Sequence, residues 1–177
     1  MRLLTLLMAS FCLWATTGIQ AADGYLNYGN EILSSLQING YVNLNGTTIT
    51  NLLQVNGSLT ANQARIGEMQ VFGQASLNNC IVKNKSIVTG SLNAFLSIFT
   101  NEVTLASDNS IFDSCSIASV HVRNTKNNVP QRIELKGKTM VMGLITFESG
   151  TGQVIASPDS QISAKQIAGG TLNKTSY

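Results

Sequence analysis

The sequence has very little with which to do acid–base chemistry. It holds one histidine, His121, and two prolines, and only 11 % of its 177 residues are charged. An average soluble domain has about 25 % charged residues. Few groups are therefore free to act as acids, bases or metal ligands. The net charge of +2 is too small to draw the chain to nucleic acid, so no nucleic-acid partner is expected. Aromatic residues make up only 6 %, which leaves little for a stacking platform. No nucleophile elbow, P-loop, dinucleotide fingerprint or metal-ligand cluster occurs. No catalytic, cofactor-binding or metal-binding residue is assigned, no cofactor is expected, and the chain is read as not an enzyme.

What is present is apolar residue, at 44 %, with Asn, Ser, Thr and Gly in place of charge. Too much is apolar for a disordered chain. The polar residues are those of turns and side-chain ladders, which points to β-structure rather than helix. The apolar content is uneven. Arg2 precedes an uncharged apolar run from Leu3 to Trp14, and small residues follow at Ala21 and Ala22. That pattern predicts a signal peptide over 1–22, a mature start at Ala22 or Asp23, and an exported protein, periplasmic, outer-surface or extracellular. The run is shorter than the roughly 20 residues a membrane span needs, so a membrane is involved only if this segment stays uncleaved. Phe11 precedes Cys12 where a lipoprotein signal needs a small residue, which argues against lipidation.

The remainder repeats. Gln37-Ile38-Asn39-Gly40, Gln54-Val55-Asn56-Gly57, Gln70-Val71-Phe72-Gly73 and Ile87-Val88-Thr89-Gly90 recur at spacings of 17, 16 and 17. The same step reaches Thr104-Leu105-Ala106-Ser107 and His121-Val122-Arg123-Asn124. The second position is always aliphatic: Ile38, Val55, Val71, Val88, Leu105, Val122. The fourth is Gly40, Gly57, Gly73, Gly90, Ser107 and Asn124, residues that accommodate tight corners. The sixth runs Val42, Leu59, Ala75, Leu92 and then Asn109; the eighth runs Leu44, Ala61, Leu77, Ala94 and Ile111. Thr47, Ala64, Cys80, Ser97 and Ser114 form a column of small residues. Ile49, Ile66, Val82, Phe99, Ser116 and Ile133 form another.

Alternation at every second residue is a strand period, and like residues in columns describe a stack of parallel strands. The fold expected is all-β: a single-domain parallel β-helix of about six rungs over 37–124, preceded by a cap at 23–36. A lone rung has too little apolar surface to stand, and stacking leaves two raw edges. Over 125–168 the period is lost, and irregular strands forming a cap are expected. Glu148-Ser149-Gly150-Thr151-Gly152 lies between Met140–Phe147 and Gln153–Ala156, which reads as a β-hairpin. The residues 169–177 read as a flexible tail.

A few side chains are candidates for chemistry. His121 reads as a surface strand residue. Asp108 and Asp113, five apart, are the one close carboxylate pair in the coil, and they read as turn residues. Cys80 and Cys115 fall two rungs apart, about 9.6 Å along the axis at the usual strand spacing, beyond the roughly 7 Å a disulfide spans. Two free, inert thiols are expected. Arg123, Lys126, Arg132, Lys136 and Lys138 form a basic stretch relieved by Glu134, and read as solvated charge. Tyr25, Tyr28 and Tyr41 cluster near the first rung and read as a cap. Thr48, Thr60, Thr89 and Thr104 fall in different columns, so no threonine face forms. Asn45, Asn56, Asn84 and Asn173 begin Asn-x-Ser/Thr triplets, expected in so Asn-rich a chain.

The Val-x-Gly-x-Leu rungs from Ile38 to Val122 resemble the bactofilin-like, polymer-forming β-solenoids. That resemblance implies a right-handed, three-sided β-helix that polymerises end to end without nucleotide. The function expected is that of an exported structural or adhesive solenoid. It would act by presenting a surface or by self-association through its ends, with a glycan or cell-surface component as a further partner. The alternatives are a carbohydrate-binding module and, behind it, a β-helix enzyme acting on polysaccharide.

Overall fold

The computed structural model describes residues 16–125 and 129–175, with side chains from residue 20 onward. The expected targeting segment thus lies mostly outside the described residues. Its last part, from Thr16, is already strand.

The chain winds as a parallel β-solenoid of about nine turns. The first four rungs are each one long bent strand: β1 (Thr16–Tyr28), β2 (Ile32–Asn45), β3 (Thr48–Asn62) and β4 (Arg65–Asn78). Later rungs are cut at their corners. They run β5 (Ile81–Val82) and β6 (Ser86–Phe95), then β7 (Ile98–Ala106) and β8 (Asn109–Asp113), then β9 (Ser116–Val122) and β10 (Arg132–Lys136). The eighth contains β11 (Met140–Val141), β12 (Ile145–Phe147) and β13 (Gly152–Ala156). The last closes with a short 3-10 turn (Ala164–Gln166), β14 (Ile167–Ala168) and β15 (Gly170–Lys174).

Three corners divide each rung into three faces. In the second to fourth rungs, face 1 carries 36–39, 53–56 and 69–72; face 2 carries 41–45, 58–62 and 74–78; face 3 carries 32–33, 48–49 and 65–66. Face 1 contributes two inward columns. One is Leu36, Leu53, Met69, Ser86, Val103, Val120, Ile145 and Ile167. The other is Ala22, Ile38, Val55, Val71, Val88, Leu105, Val122 and Phe147. The aliphatic second position of the repeat is therefore a continuous stack, as the sequence predicts. Face 3 contributes Leu33, Ile49, Ile66, Val82, Phe99, Ile117 and Val141.

Two corners are built differently. Between faces 1 and 2 the chain turns on Gly40, Gly57, Gly73 and Gly90, with φ of +130°, +143°, +143° and +131°. A Cβ at Gly57, Gly73 or Gly90 would overlap the carbonyl oxygen of the glycine one rung earlier. Only hydrogen fits, so this column is set both by conformation and by contact. Ser107 and Asn124, expected in the same column, do not take positive φ. At the corner between faces 2 and 3 a single left-handed residue precedes the small buried column. Gly46, Gln63, Asn79, Leu96 and Ser114 occupy it, with φ between +48° and +72°. This second corner leaves no mark in the repeat, because Gln and Leu are not residues that favour positive φ.

The register slips by one residue after Leu105. Ser110 and Phe112, not Asn109 and Ile111, sit over Leu92 and Ala94. Cys115 replaces Ser114 in the small column, and Ile117 replaces Ser116 over Phe99. Ile133 belongs to face 2, above Ser110. The extra residue is taken up at the corner, where Ser107 Oγ donates to the Asn109 carbonyl at 2.7 Å. Phe99 and Phe112 then meet edge to face in the core, centroids 5.8 Å apart.

The coil also has more turns than the six expected, because it continues at both ends. The segment expected as a cap, 23–36, belongs to β1 and β2, which pair along their length. At the other end no hairpin forms at 148–152. β13 lies parallel to β10 on one side and β15 on the other, and β12 is parallel to β9 and β14. The period is lost after Asn124 because the rungs lengthen at corners, while the ladders continue. The expected tail is largely β15, the last strand of face 2.

Candidate functional surfaces

With the interior filled by aliphatic columns, function must lie on outward residues. The lower rungs carry amide ladders. Asn56 Nδ2 donates to Asn39 Oδ1 at 2.7 Å, and Asn39 Nδ2 to Asp23 Oδ1 at 2.8 Å. On face 2, Asn43 donates to Asn27 at 3.1 Å and Asn62 to Asn45 at 3.4 Å. Such ladders align because parallel rungs bring identical residues into register. The tyrosines separate into two roles. Tyr25 and Tyr41 stack outside, centroids 4.6 Å apart and 6° from parallel. Tyr41 Oη donates to Thr60 Oγ1 at 3.1 Å. Tyr25 is 67 % exposed. Tyr28 instead packs against the core, where burial, and after it the charge of Glu31, push its phenol up.

His121 is brought to Glu148, 2.8 Å away and 27 residues distant in sequence. The other Glu148 oxygen accepts the Asn124 backbone N–H at 3.0 Å. The carboxyl is held below its ordinary value, first by that backbone bond and then by His121. This pair ties the start of the segment after β9 to the next rung. Sequence reading missed it because the two lie in different rungs of unequal length.

Asp108 and Asp113 are not brought together. Asp108 precedes β8 and Asp113 ends it, and five residues of extended chain span roughly 16 Å. A glycosidase pair stands about 5 to 9.5 Å apart. Asp108 accepts from Thr125 Oγ1 at 2.8 Å, and Asp113 from Ser114 Oγ at 2.9 Å. Beside Asp108 lies an open groove of about 450 Å³, lined by Thr89, Gly90, Ser91, Asn109 and Thr125 among others. In the basic stretch, Glu134 bridges Arg132 at 3.0 Å and Lys136 at 3.1 Å. Lys126 lies outside the described residues. Among the described residues, no group of three or more His, Cys, Asp or Glu is placed to hold a metal ion.

Cys80 and Cys115 are free, buried thiols separated by one rung. Ser97 stands between them: the Cys80 N–H donates to Ser97 Oγ at 3.1 Å, and the Ser97 N–H to Cys115 Sγ at 3.4 Å. Burial pushes both thiols up, Cys115 to about 11. Thiolate is the reactive form. Both cysteines are therefore expected to resist a disulfide thiol reagent at pH 8 in the folded protein and to react once it is unfolded in denaturant. Rapid native labelling would contradict the stacking at this corner.

No known protein family, curated protein or solved structure matches this chain.

Proposed function

We propose that the chain is an exported, non-enzymatic structural solenoid that associates end to end. The observation that carries this reading is the state of its two ends. Among the described residues β1 pairs only with β2, and β15 only with β13. Leu172 and Ile167 of the last rung are only partly buried while packing against the core. An edge strand with half-covered aliphatics behind it, as in the last rung, is a template for another rung. Export rests on Arg2 and the apolar run from Leu3 to Trp14. The resemblance to polymer-forming solenoids supports the same reading.

The test targets the last edge. Thr175 N–H bonds back to the Ala156 carbonyl. Strand alternation then turns the Lys174 N–H away from the coil. Lys174→Pro deletes that donor on an exposed edge residue, where proline is tolerated. Light scattering with electron microscopy is expected to show assemblies for the wild type and monomers for the variant. A wild type that is monomeric at every concentration overturns the proposal. A carbohydrate-binding reading has the open ring face of Tyr25 in its favour, and a glycan array comparing wild type with Tyr25→Ala tests it.

A further inference from the structure

The three faces differ in charge. Face 3 carries no carboxylate in its strands from Thr48 to Gln161, although Arg65 and Lys83 both point outward from it. Neither forms an ion pair among the described residues. The acidic residues at the corner between faces 3 and 1 are turned aside. Glu68 accepts from Gln70 Nε2 at 3.0 Å, and Glu102 from Thr104 Oγ1 at 3.3 Å, both partners lying on face 1. Asp113, which stands over Phe95 at the corner between faces 2 and 3, is held by Ser114. Glu31 stands three rungs from Ile81.

Beside the two cations lies partly exposed hydrocarbon. Arg65, Ile81 and Ile98 are successive members of one outward column. Leu96 and Phe95 continue the apolar surface around the corner; Phe95, Leu96 and Ile98 are 44 %, 49 % and 41 % exposed. Leu96 is held at φ +48°. The same corner elsewhere uses Gly46, Gln63, Asn79 and Ser114, all polar or lacking a side chain. Here the backbone is strained to project leucine into solvent. Strain kept at an exposed apolar residue points to a use for that residue.

We propose that face 3, around Arg65, Ile81, Lys83, Phe95, Leu96 and Ile98, docks on an anionic lipid bilayer. A rigid parallel sheet face is close to planar, as is a bilayer surface. Apolar tips enter the acyl boundary while flanking cations meet phosphate headgroups. A second copy is disfavoured as the occupant, since face-to-face pairing would bring two sets of unpaired cations together. The sequence alone offers a membrane only to the N-terminal apolar run; this placement offers one to the folded coil. The inference does not depend on end-to-end association.

The test is flotation of the full chain with vesicles of phosphatidylcholine alone or mixed with phosphatidylglycerol. The full chain is expected to float with the anionic vesicles, less at high salt, and to stay behind with neutral ones. Arg65→Gln with Lys83→Gln is expected to weaken binding about tenfold or more, at the usual contribution of each near-surface cation. Leu96→Asn should also weaken binding while unfolding later than wild type, because asparagine accepts positive φ. Arg132→Gln, at the end of face 2 away from this corner, should bind as wild type. Every variant keeps the same N-terminal segment, so differences between them report the coil. Equal binding to neutral vesicles, or full binding by the face 3 variants, overturns the proposal. So does loss of self-association, without lipid binding, on Leu96→Asn.

Discussion

Gly73→Ala is expected to destabilise the coil by about 3 kcal/mol or more, combining roughly 1 to 3 for forcing a side chain to positive φ with a similar cost for the overlap. Gly73 sits at φ +143°, and the added methyl would overlap the Gly57 carbonyl oxygen. Neither neighbour can yield, because both are backbone in a ladder that continues above and below. Gly24→Ala is the informative comparison. Gly24 lies at φ +99° with open space around the missing Cβ. It carries the conformational cost alone and belongs to the first rung. Denaturant unfolding followed by circular dichroism measures both. Equal effects at the two positions would show that glycine is needed here only for its conformation, and the close approach of the rungs would lose its role. The position in the stack matters too. A break in the fourth rung divides a one-dimensional array, whereas a loss at the end removes a terminal unit.

Phe112→Ala is expected to cost about 3 to 5 kcal/mol, while Ile111→Ala costs about 1 kcal/mol or less. Phe112 is fully buried, stacked over Ala94 and in edge contact with Phe99. Ile111 is only half-buried and points outward. The sixth rung needs its two phenylalanines because Ser110 replaces an aliphatic residue in the adjoining column, and Ala94 leaves room beneath Phe112. A double change, Phe99→Ala with Phe112→Ala, should cost less than the two single effects combined, because the rings share a contact. Reversed magnitudes at 111 and 112 would restore the register that the repeat spacing alone predicts.

That one-residue displacement shows which information the sequence held. The aliphatic column through Ile38, Val55, Val71 and Val88 was readable because stacking demands the same residue type turn after turn. The glycine corner was readable for the same reason. The other corner was not, since a left-handed residue can be Gln63 or Leu96 when tertiary contacts hold it there. The insertion at Ser107 was invisible because corners absorb extra chain without disturbing the faces on either side. The hairpin expected at 148–152 failed on a related point. A glycine-rich turn specifies that the chain bends, and the open edge of the preceding rung decides which way the next strand runs. His121 and Glu148 were out of reach because their meeting depends on the lengths of two irregular rungs. The charge sorting of face 3 needed the corners to be located first, since the direction of Glu68 and Glu102 follows from them.

The segment joining β9 to β10 is closed at its base by one side chain. Buried Gln131 donates to the Ser107 carbonyl at 3.1 Å and the Arg123 carbonyl at 2.7 Å. The strands it joins stay in register with their neighbours on both sides. The extra length of this connection is thereby kept from disturbing the ladders on either side. This is where foreign sequence can be spliced with the least disturbance, and where a rod of fixed thickness can acquire a branch.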